Sequence, residues 1–180
     1  MTNSIVIYSS KYGTTKKYAQ WLAEELDCEF FDYKKVKTKE LLKYDNIIYG
    51  GALYAGGVSG IKFLIKSFES IKDKRIVLFT CGLSDPNNEE NITNITNNLY
   101  KVITSEMKEK IKVFHLRGGI DYSKLGFIHK TMMSMLINTI KDKPIEELNS
   151  ESKEMLETYG KVVDFTDKTT IEPIVSYVRS

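Results

Sequence analysis

The chain has 180 residues, of which 42% are hydrophobic, and this size and composition are typical of a globular protein with one core. Its 26 basic and 24 acidic residues leave a formal net charge of +2, and the basic residues are spread along the chain, which argues against nucleic-acid binding. No apolar stretch is long enough to cross a bilayer and the chain starts without a secretion signal, so we expect a cytoplasmic protein.

The stretch from Ser4 to Leu26 predicts a strand, a turn and a helix. Its apolar run, Ile5 to Tyr8, is typical of a buried parallel strand. Apolar residues then recur at helical spacing from Tyr18 onward, with no proline among them. The loop between, Ser10 to Thr15, is rich in hydroxyl groups. It precedes a helix whose first N–H groups have no partner, so it predicts a phosphate-binding site.

Further apolar segments alternate between strands and helices. Four more strands are predicted, and they cover Cys28–Tyr33, Tyr44–Tyr49, Arg75–Thr80 and Lys112–Leu116. Glycines follow several of them, most densely in Gly50–Gly57, which we interpret as a loop. Helices are predicted over Ile61–Ile71 and in a long segment that starts at an Asp85-Pro86 cap and continues to Met107.

This alternation predicts an α/β fold with helices on both faces of a doubly wound parallel sheet, hence three layers. Ligands of such sheets bind beyond the carboxyl ends of the strands. Three loops are expected to meet there: Ser10–Thr15, Gly50–Gly57 and Thr80–Leu83. None contains G-x-G-x-x-G or the P-loop pattern, which removes the main support for a dinucleotide or nucleoside triphosphate.

The hydroxyl-rich loop Ser10-Lys11-Tyr12-Gly13-Thr14-Thr15 resembles the phosphate loop of the flavodoxin-like family. The resemblance implies a five-stranded parallel sheet in the order 2-1-3-4-5, with FMN as the cofactor. The whole chain, 1–180, would then be one flavodoxin-like domain.

The resemblance also implies roles for three sets of residues. The FMN phosphate would be held by the hydroxyls of Ser10, Thr14 and Thr15 and by backbone N–H groups of Lys11, Tyr12, Gly13, Thr14 and Thr15. The Gly50–Gly57 loop, in which Ala52 would also bind the cofactor, would cover one face of the flavin ring, with Leu53 and Tyr54 nearest and Gly56 or Gly57 free to turn a peptide. The pyrimidine edge would lie along the backbone of Thr80, Cys81, Gly82 and Leu83.

A closer resemblance extends over nearly the whole chain. The order of YGGALYAGG, FTCGLSDP, LRGGIDY and a Met-rich helix is similar to the subfamily that includes bacterial quinone-linked protoporphyrinogen oxidases. Such proteins carry an added segment after the fifth strand, here Asp121–Lys143. The resemblance implies that this segment meets a hydrophobic substrate, a quinone or, peripherally, the inner face of a membrane. A core position for its methionines is the other interpretation.

Three functions remain open. The main hypothesis is an FMN-dependent oxidoreductase, which would exchange electrons with a redox partner protein or a quinone. The alternatives are a simple flavodoxin electron carrier and a flavodoxin-like binding module without FMN. No catalytic residue is assigned. Cys28 and Cys81 lack the spacing of a redox or metal motif, and His115 and His129 have no ligand set around them, so no metal site is expected.

Overall fold

The computed structural model describes residues 3–54 and 56–180, and its central element is a parallel sheet. These residues form eight strands, in chain order β1 Ser4–Ser9, β2 Glu29–Asp32, β3 Asn46–Tyr54, β4 Gly57–Val58, β5 Arg75–Gly82, β6 Ile111–Arg117, β7 Gly119–Asp121 and β8 Val162–Asp164. Five of them run parallel in the order β2-β1-β3-β5-β6, which confirms the predicted 2-1-3-4-5 order of the sheet. The short β4 adds to β3 in the antiparallel direction.

Helices cover both faces of the sheet. They are α1 Thr14–Leu26, α2 Thr38–Leu41, α3 Ile61–Ile71, α4 Glu89–Tyr100, α5 Ser105–Lys110, α6 Phe127–Ile140, α7 Ser150–Thr158 and α8 Glu172–Arg179. On one face α1 and α8 pack on β-strand residues such as Val6 and Val77. On the other face α3, α4 and α5 pack on Ile7 and Leu78. Neighbouring residues of one strand thus enter opposite cores, as a strand buried on both faces requires.

The prediction that the third strand ends before Gly50 is wrong. β3 continues through Gly50 and Gly51 to Tyr54, pairing with both β1 and β5. These two glycines serve packing and not a turn, because a Cβ on Gly50 would overlap the Phe79 ring and a Cβ on Gly51 would overlap Val58. The loop shrinks to the residues between β3 and β4, and Ala55 within it lies outside the described residues.

In place of the predicted long helix after β5, the structure has two helices, α4 and α5, and α4 begins later than predicted. Helix α4 is capped by Asn88, whose side chain accepts from the N–H groups of Glu90 and Asn91, so the predicted cap at Asp85 is wrong. The apolar spacing is right as far as Leu99, but Thr104 begins a new helix by accepting from the Met107 N–H. Threonine is a favoured cap and a poor interior residue, which explains the break.

The added segment is longer than predicted and is closed by a separate two-stranded sheet. It leaves β6 through β7, forms α6 and α7, and comes back through β8, which pairs with β7 in antiparallel fashion. Helix α8 follows β8 and packs on the parallel sheet. Ile171, Ile174, Val175 and Val178 are buried at i, i+3, i+4 and i+7, a helical pattern present in the sequence.

Candidate functional site

A cavity of about 530 Å³ lies where β1, β3 and β5 end. The three loops expected there do meet in it, although β3 and β5 extend further than predicted. The predicted site residues that line the cavity are Tyr12, Thr14, Ala52, Leu53, Tyr54, Gly56, Cys81, Gly82 and Leu83. Those outside its lining are Ser10, Lys11, Gly13, Thr15, Gly57 and Thr80.

The loop after β1 presents backbone N–H groups at the start of α1. Gly13 precedes the helix with a φ of 102°, a left-handed conformation that glycine adopts at little cost. Because glycine has no side chain that could cap the helix, the first N–H groups of α1 are available to bind an anion. Ser10 shapes the loop by accepting from the Gly13 N–H at 3.1 Å.

Lysines add positive charge around this loop. Lys11 and Lys16 are exposed beside it. Lys17 forms an ion pair within the chain: its Nζ lies 3.1 Å from a carboxylate oxygen of Asp164 and 5.1 Å from the Trp21 ring centre. That ion pair ties α1 to the end of β8.

The end of β3 supplies an apolar and aromatic wall. Leu53 packs so closely on β5 that a Cβ on Gly82 would lie 2.7 Å from its Cδ1. The pKa of the Tyr54 phenol is raised to about 12, mainly by burial and to a smaller extent by the nearby Tyr12 and Cys81 groups. The phenol is therefore uncharged at neutral pH. Gly56 has a φ of 75°, a left-handed conformation that glycine adopts at little cost.

The end of β5 carries the buried thiol of Cys81 and lies close to Gly118, the residue that follows β6. Burial raises the pKa of Cys81 to about 11, so the group is a thiol and not a thiolate at neutral pH. A Cβ on Gly118 would lie 2.8 Å from the Cys81 Sγ and 3.2 Å from the Thr14 Oγ1, so glycine lets the end of β6 approach both. Thr80 lies inside the strand, where its hydroxyl is 2.7 Å from Nδ1 of His115.

The added segment closes the opposite side of the cavity. Helix α6 contributes His129, Met132, Met133, Leu136 and Ile140, and Leu125 stands just before it. Helix α7 adds Glu151, Ser152, Glu154 and Met155. We call these α6 residues with Leu125 the roof. The methionines are therefore not simply core residues, since of the residues in α6 only Ile137 is buried.

A sequence comparison decides the family to which these features belong. The profile of the flavodoxin domain family matches residues 5–146, which is most of the chain. The chain belongs to the flavodoxin domain family. No curated protein sequence matches it.

Several solved structures of flavodoxin-like proteins are similar to part of the chain. A flavodoxin, WrbA-like protein from Agrobacterium tumefaciens is 20% identical, with a TM-score of 0.45, over 62% of this chain and 76% of that one. Oxidised Flavodoxin 2 from Bacillus cereus is 20% identical, with a TM-score of 0.42, over 64% and 85% of the two chains. Two-electron reduced Megasphaera elsdenii flavodoxin is 13% identical, with a TM-score of 0.43, over 62% and 82%.

Membership in the flavodoxin family supports FMN as the cofactor, and features of the site fit that molecule. The hydroxyl oxygen of Thr15, in the first turn of α1, is buried with no hydrogen-bond partner among the described residues. A buried hydroxyl without a partner is costly, and a phosphate oxygen would supply one. The cavity volume lies in the range of small-molecule sites, and its walls are mostly apolar, as a flavin ring requires.

Several lining residues were not predicted from the sequence. Gly118 could have been found, because a glycine directly after a strand often permits a close approach. His129 carried no such signal, yet its ring lies 5.7 Å from that of Tyr12 and 5.4 Å from that of Tyr54. Across residues 3–54 and 56–180, no three His, Cys, Asp or Glu side chains gather into a metal-binding group.

Proposed function

We propose that this flavodoxin-family protein is an FMN-dependent oxidoreductase that acts on a hydrophobic ring molecule, either a quinone or a porphyrinogen-like compound. One observation carries the proposal: the roof makes apolar side chains part of the same cavity as the three cofactor loops. A simple electron carrier needs only an exposed flavin edge for contact with its partner protein. An apolar chamber beside the cofactor instead suits a small organic substrate.

In this proposal the bound FMN supplies the electron transfer, and the chain supplies binding and exclusion of water. Thr14, Thr15 and the N–H groups at the start of α1 hold the phosphate. Leu53 and Tyr54 pack against the ring, with the backbone from Cys81 to Leu83 along its polar edge. The roof then shields the remaining space and accepts the substrate. A redox partner protein is the other electron-exchange partner.

The outer side of the added segment suits contact with an anionic lipid surface. Phe127 is 86% exposed and Ile128 is 73% exposed, and Lys124 and Lys130 stand beside them. Apolar side chains next to lysines bind membranes that carry negative charge. No helix within the described residues is long and apolar enough to span a bilayer, so this contact would be peripheral.

The cofactor is tested by the absorbance spectrum of the purified protein and by FMN titration of the FMN-free form. A flavin spectrum with saturable binding is expected. A colourless protein that takes up no FMN would instead favour the binding module without cofactor.

To test the substrate, the FMN-loaded protein is first reduced anaerobically. It is then mixed with menadione, a small naphthoquinone, and reoxidation of the flavin is followed by its absorbance. Met133→Gln places an amide in the roof and is expected to raise the menadione concentration at half-maximal rate about tenfold. Met135→Gln makes the same change two positions later, at a side chain that is 65% exposed and outside the cavity. Equal effects of the two variants, or no reoxidation by menadione, would contradict a quinone bound under the roof.

Lipid contact is tested by sedimentation with phosphatidylcholine vesicles, with and without phosphatidylglycerol. Binding is expected only with the anionic lipid and should be lost in Phe127→Ser/Ile128→Ser. Val102→Ser, which changes another exposed apolar residue, is the matched control. Equal sedimentation with both vesicle types would contradict an electrostatic membrane contact.

A further inference from the structure

Three aromatic rings from distant parts of the chain meet at one side of the cavity. Tyr12 comes from the loop before α1, Tyr54 from the end of β3 and His129 from the first turn of α6. The Tyr54 and His129 rings are stacked, with an angle of 27° between their planes, and the Tyr12 ring meets both edge-on. All three residues line the cavity, so the cluster joins the cofactor loops to the roof.

Hydrogen bonds within the cluster decide which nitrogen of His129 carries the proton. The Gly126 N–H donates to the Tyr12 hydroxyl oxygen at 3.4 Å. We assign the Tyr12 O–H as the donor to Nδ1 of His129, 2.6 Å away, because the Tyr12 oxygen already accepts from Gly126 and its hydrogen is free to point at the ring. With Nδ1 as the acceptor, the imidazole N–H lies on Nε2.

The Nε2–H group has no partner within residues 3–54 and 56–180. Its residue is half-buried and lines the cavity as part of the roof, whose other members, such as Leu125, Met132 and Met133, offer no acceptor stronger than a thioether. A ligand that fills the cavity displaces water from this donor, so the hydrogen bond is kept only if the ligand brings an acceptor oxygen.

We propose that His129 determines which ring molecules bind in the cavity, by donating from Nε2 to a carbonyl oxygen, with Tyr12 as the positioning residue that fixes the tautomer. This inference rests on the proposed function, since it assumes a ring substrate under the roof, and it adds a requirement for an acceptor oxygen at one edge. A hydrocarbon of the same shape fills the apolar space equally well but leaves the donor unpaired.

The test compares two ligands of similar shape with the FMN-loaded protein. Menadione carries ring carbonyls and 2-methylnaphthalene does not, and the dissociation constant of each is measured by calorimetry at saturating FMN. The quantity of interest is the preference, defined as the dissociation constant of 2-methylnaphthalene divided by that of menadione. Because both ligands probe the same folded protein, a general loss of cavity shape cancels in this ratio.

His129→Phe keeps a ring that can stack on Tyr54 and removes both nitrogens. We expect it to lower the preference about tenfold, the loss of one hydrogen bond in an apolar site. Tyr12→Phe should lower the preference by a smaller factor, because the proton can then lie on either nitrogen. His129→Gln, whose amide N–H group reaches a similar distance from the backbone, should restore part of the preference.

The inference is overturned if His129→Phe raises the dissociation constants of both ligands by the same factor, since His129 would then contribute only to the shape of the cavity. An unchanged preference in Tyr12→Phe would remove the positioning role. If menadione reoxidises the reduced flavin of the wild-type protein while His129→Phe keeps the full preference for menadione over 2-methylnaphthalene, the proposed function survives and this inference fails. If the wild-type protein binds neither compound, both fail.

Discussion

Oε2 of Glu154 on α7 lies 3.3 Å from Nη2 of Arg117 at the end of β6, so the added segment is tied by an ion pair to the last parallel strand. Glu154 also accepts from the Asp85 N–H and the Asn91 side chain, each at 2.9 Å. The Arg117 guanidinium lies 4.0 Å from the Phe165 ring centre. These contacts hold α7, and with it one wall of the cavity, against the chain after β5.

Glu154→Ala is expected to lower the free energy of unfolding by about 2 kcal/mol, because it removes one of the two carboxylates beside Arg117 and takes the acceptor from the Asp85 N–H and from one Asn91 amide N–H. The side chains of Arg117 and Glu154 are 26% and 17% exposed, which limits screening by water. Urea unfolding measures the change. Glu157→Ala, at an exposed position of the same helix, is the control and should cost less than about 0.5 kcal/mol. Similar losses in the two variants would show that the pair does not stabilise the fold.

Thr15→Val should change FMN binding and protein stability in different directions. Replacing the hydroxyl by a methyl group would remove the hydrogen bond to the phosphate that we propose, so the dissociation constant for FMN is expected to rise about tenfold. The FMN-free protein should be as stable as wild type or more stable, because a buried hydroxyl without a partner has been removed. Fluorescence titration and urea unfolding measure the two effects.

Thr15→Ser keeps the hydroxyl and is the matched control, with FMN affinity expected close to that of wild type. If valine lowers stability without affecting FMN binding, the Thr15 hydroxyl serves the fold and does not contact the phosphate.

Gly50→Ala is expected to destabilise the protein by about 2 kcal/mol, since its Cβ would overlap the Phe79 ring in the core. Gly57→Ala, at the start of β4, should cost no more than about 0.5 kcal/mol because the nearest atom to its Cβ is 3.5 Å away. Thermal or urea unfolding of both variants provides the comparison. A tolerated alanine at position 50 would show that the Phe79 ring can move.

Stability should fall in mildly acidic solution because of His115. Burial lowers the pKa of this residue, whose Nδ1 lies 2.7 Å from the Thr80 hydroxyl and whose Nε2 lies 3.2 Å from the Thr96 hydroxyl. The fold therefore favours neutral imidazole. The stabilisation is complete above the unfolded pKa of about 6.5 and is lost as pH falls from there toward the lower folded pKa, because the unfolded chain binds the proton more readily.

We expect the free energy of unfolding to decrease from about pH 7.5 to about pH 5.5 in wild type, and to decrease less in His115→Gln. Urea unfolding at several pH values measures both slopes. Identical slopes would mean that His115 does not contribute to the pH dependence.

Local sequence patterns were enough for the order of the elements and for the first loop. The apolar run from Ile5 to Tyr8 and the spacing of Tyr18, Leu22 and Leu26 depend on residues close in sequence, and β1 and α1 form there. The pattern failed at Gly50 and Gly51, where glycine usually marks a turn. Their conformation is set by Phe79 and Val58, so a local pattern could not distinguish a turn from a tightly packed strand.

The sequence by itself determined the flavodoxin-like sheet, the hydroxyl-rich loop and the presence of an apolar segment after the last parallel strand, because each depends on periodicity or on a short run of neighbours. Only the tertiary structure decided where that segment lies. His129 meets Tyr12, 117 positions away, and the Met-rich helix becomes the roof of the cavity and not a core helix. Such contacts depend on the packing of elements far apart in sequence, such as β7 and β8, which pair with each other on either side of α6 and α7.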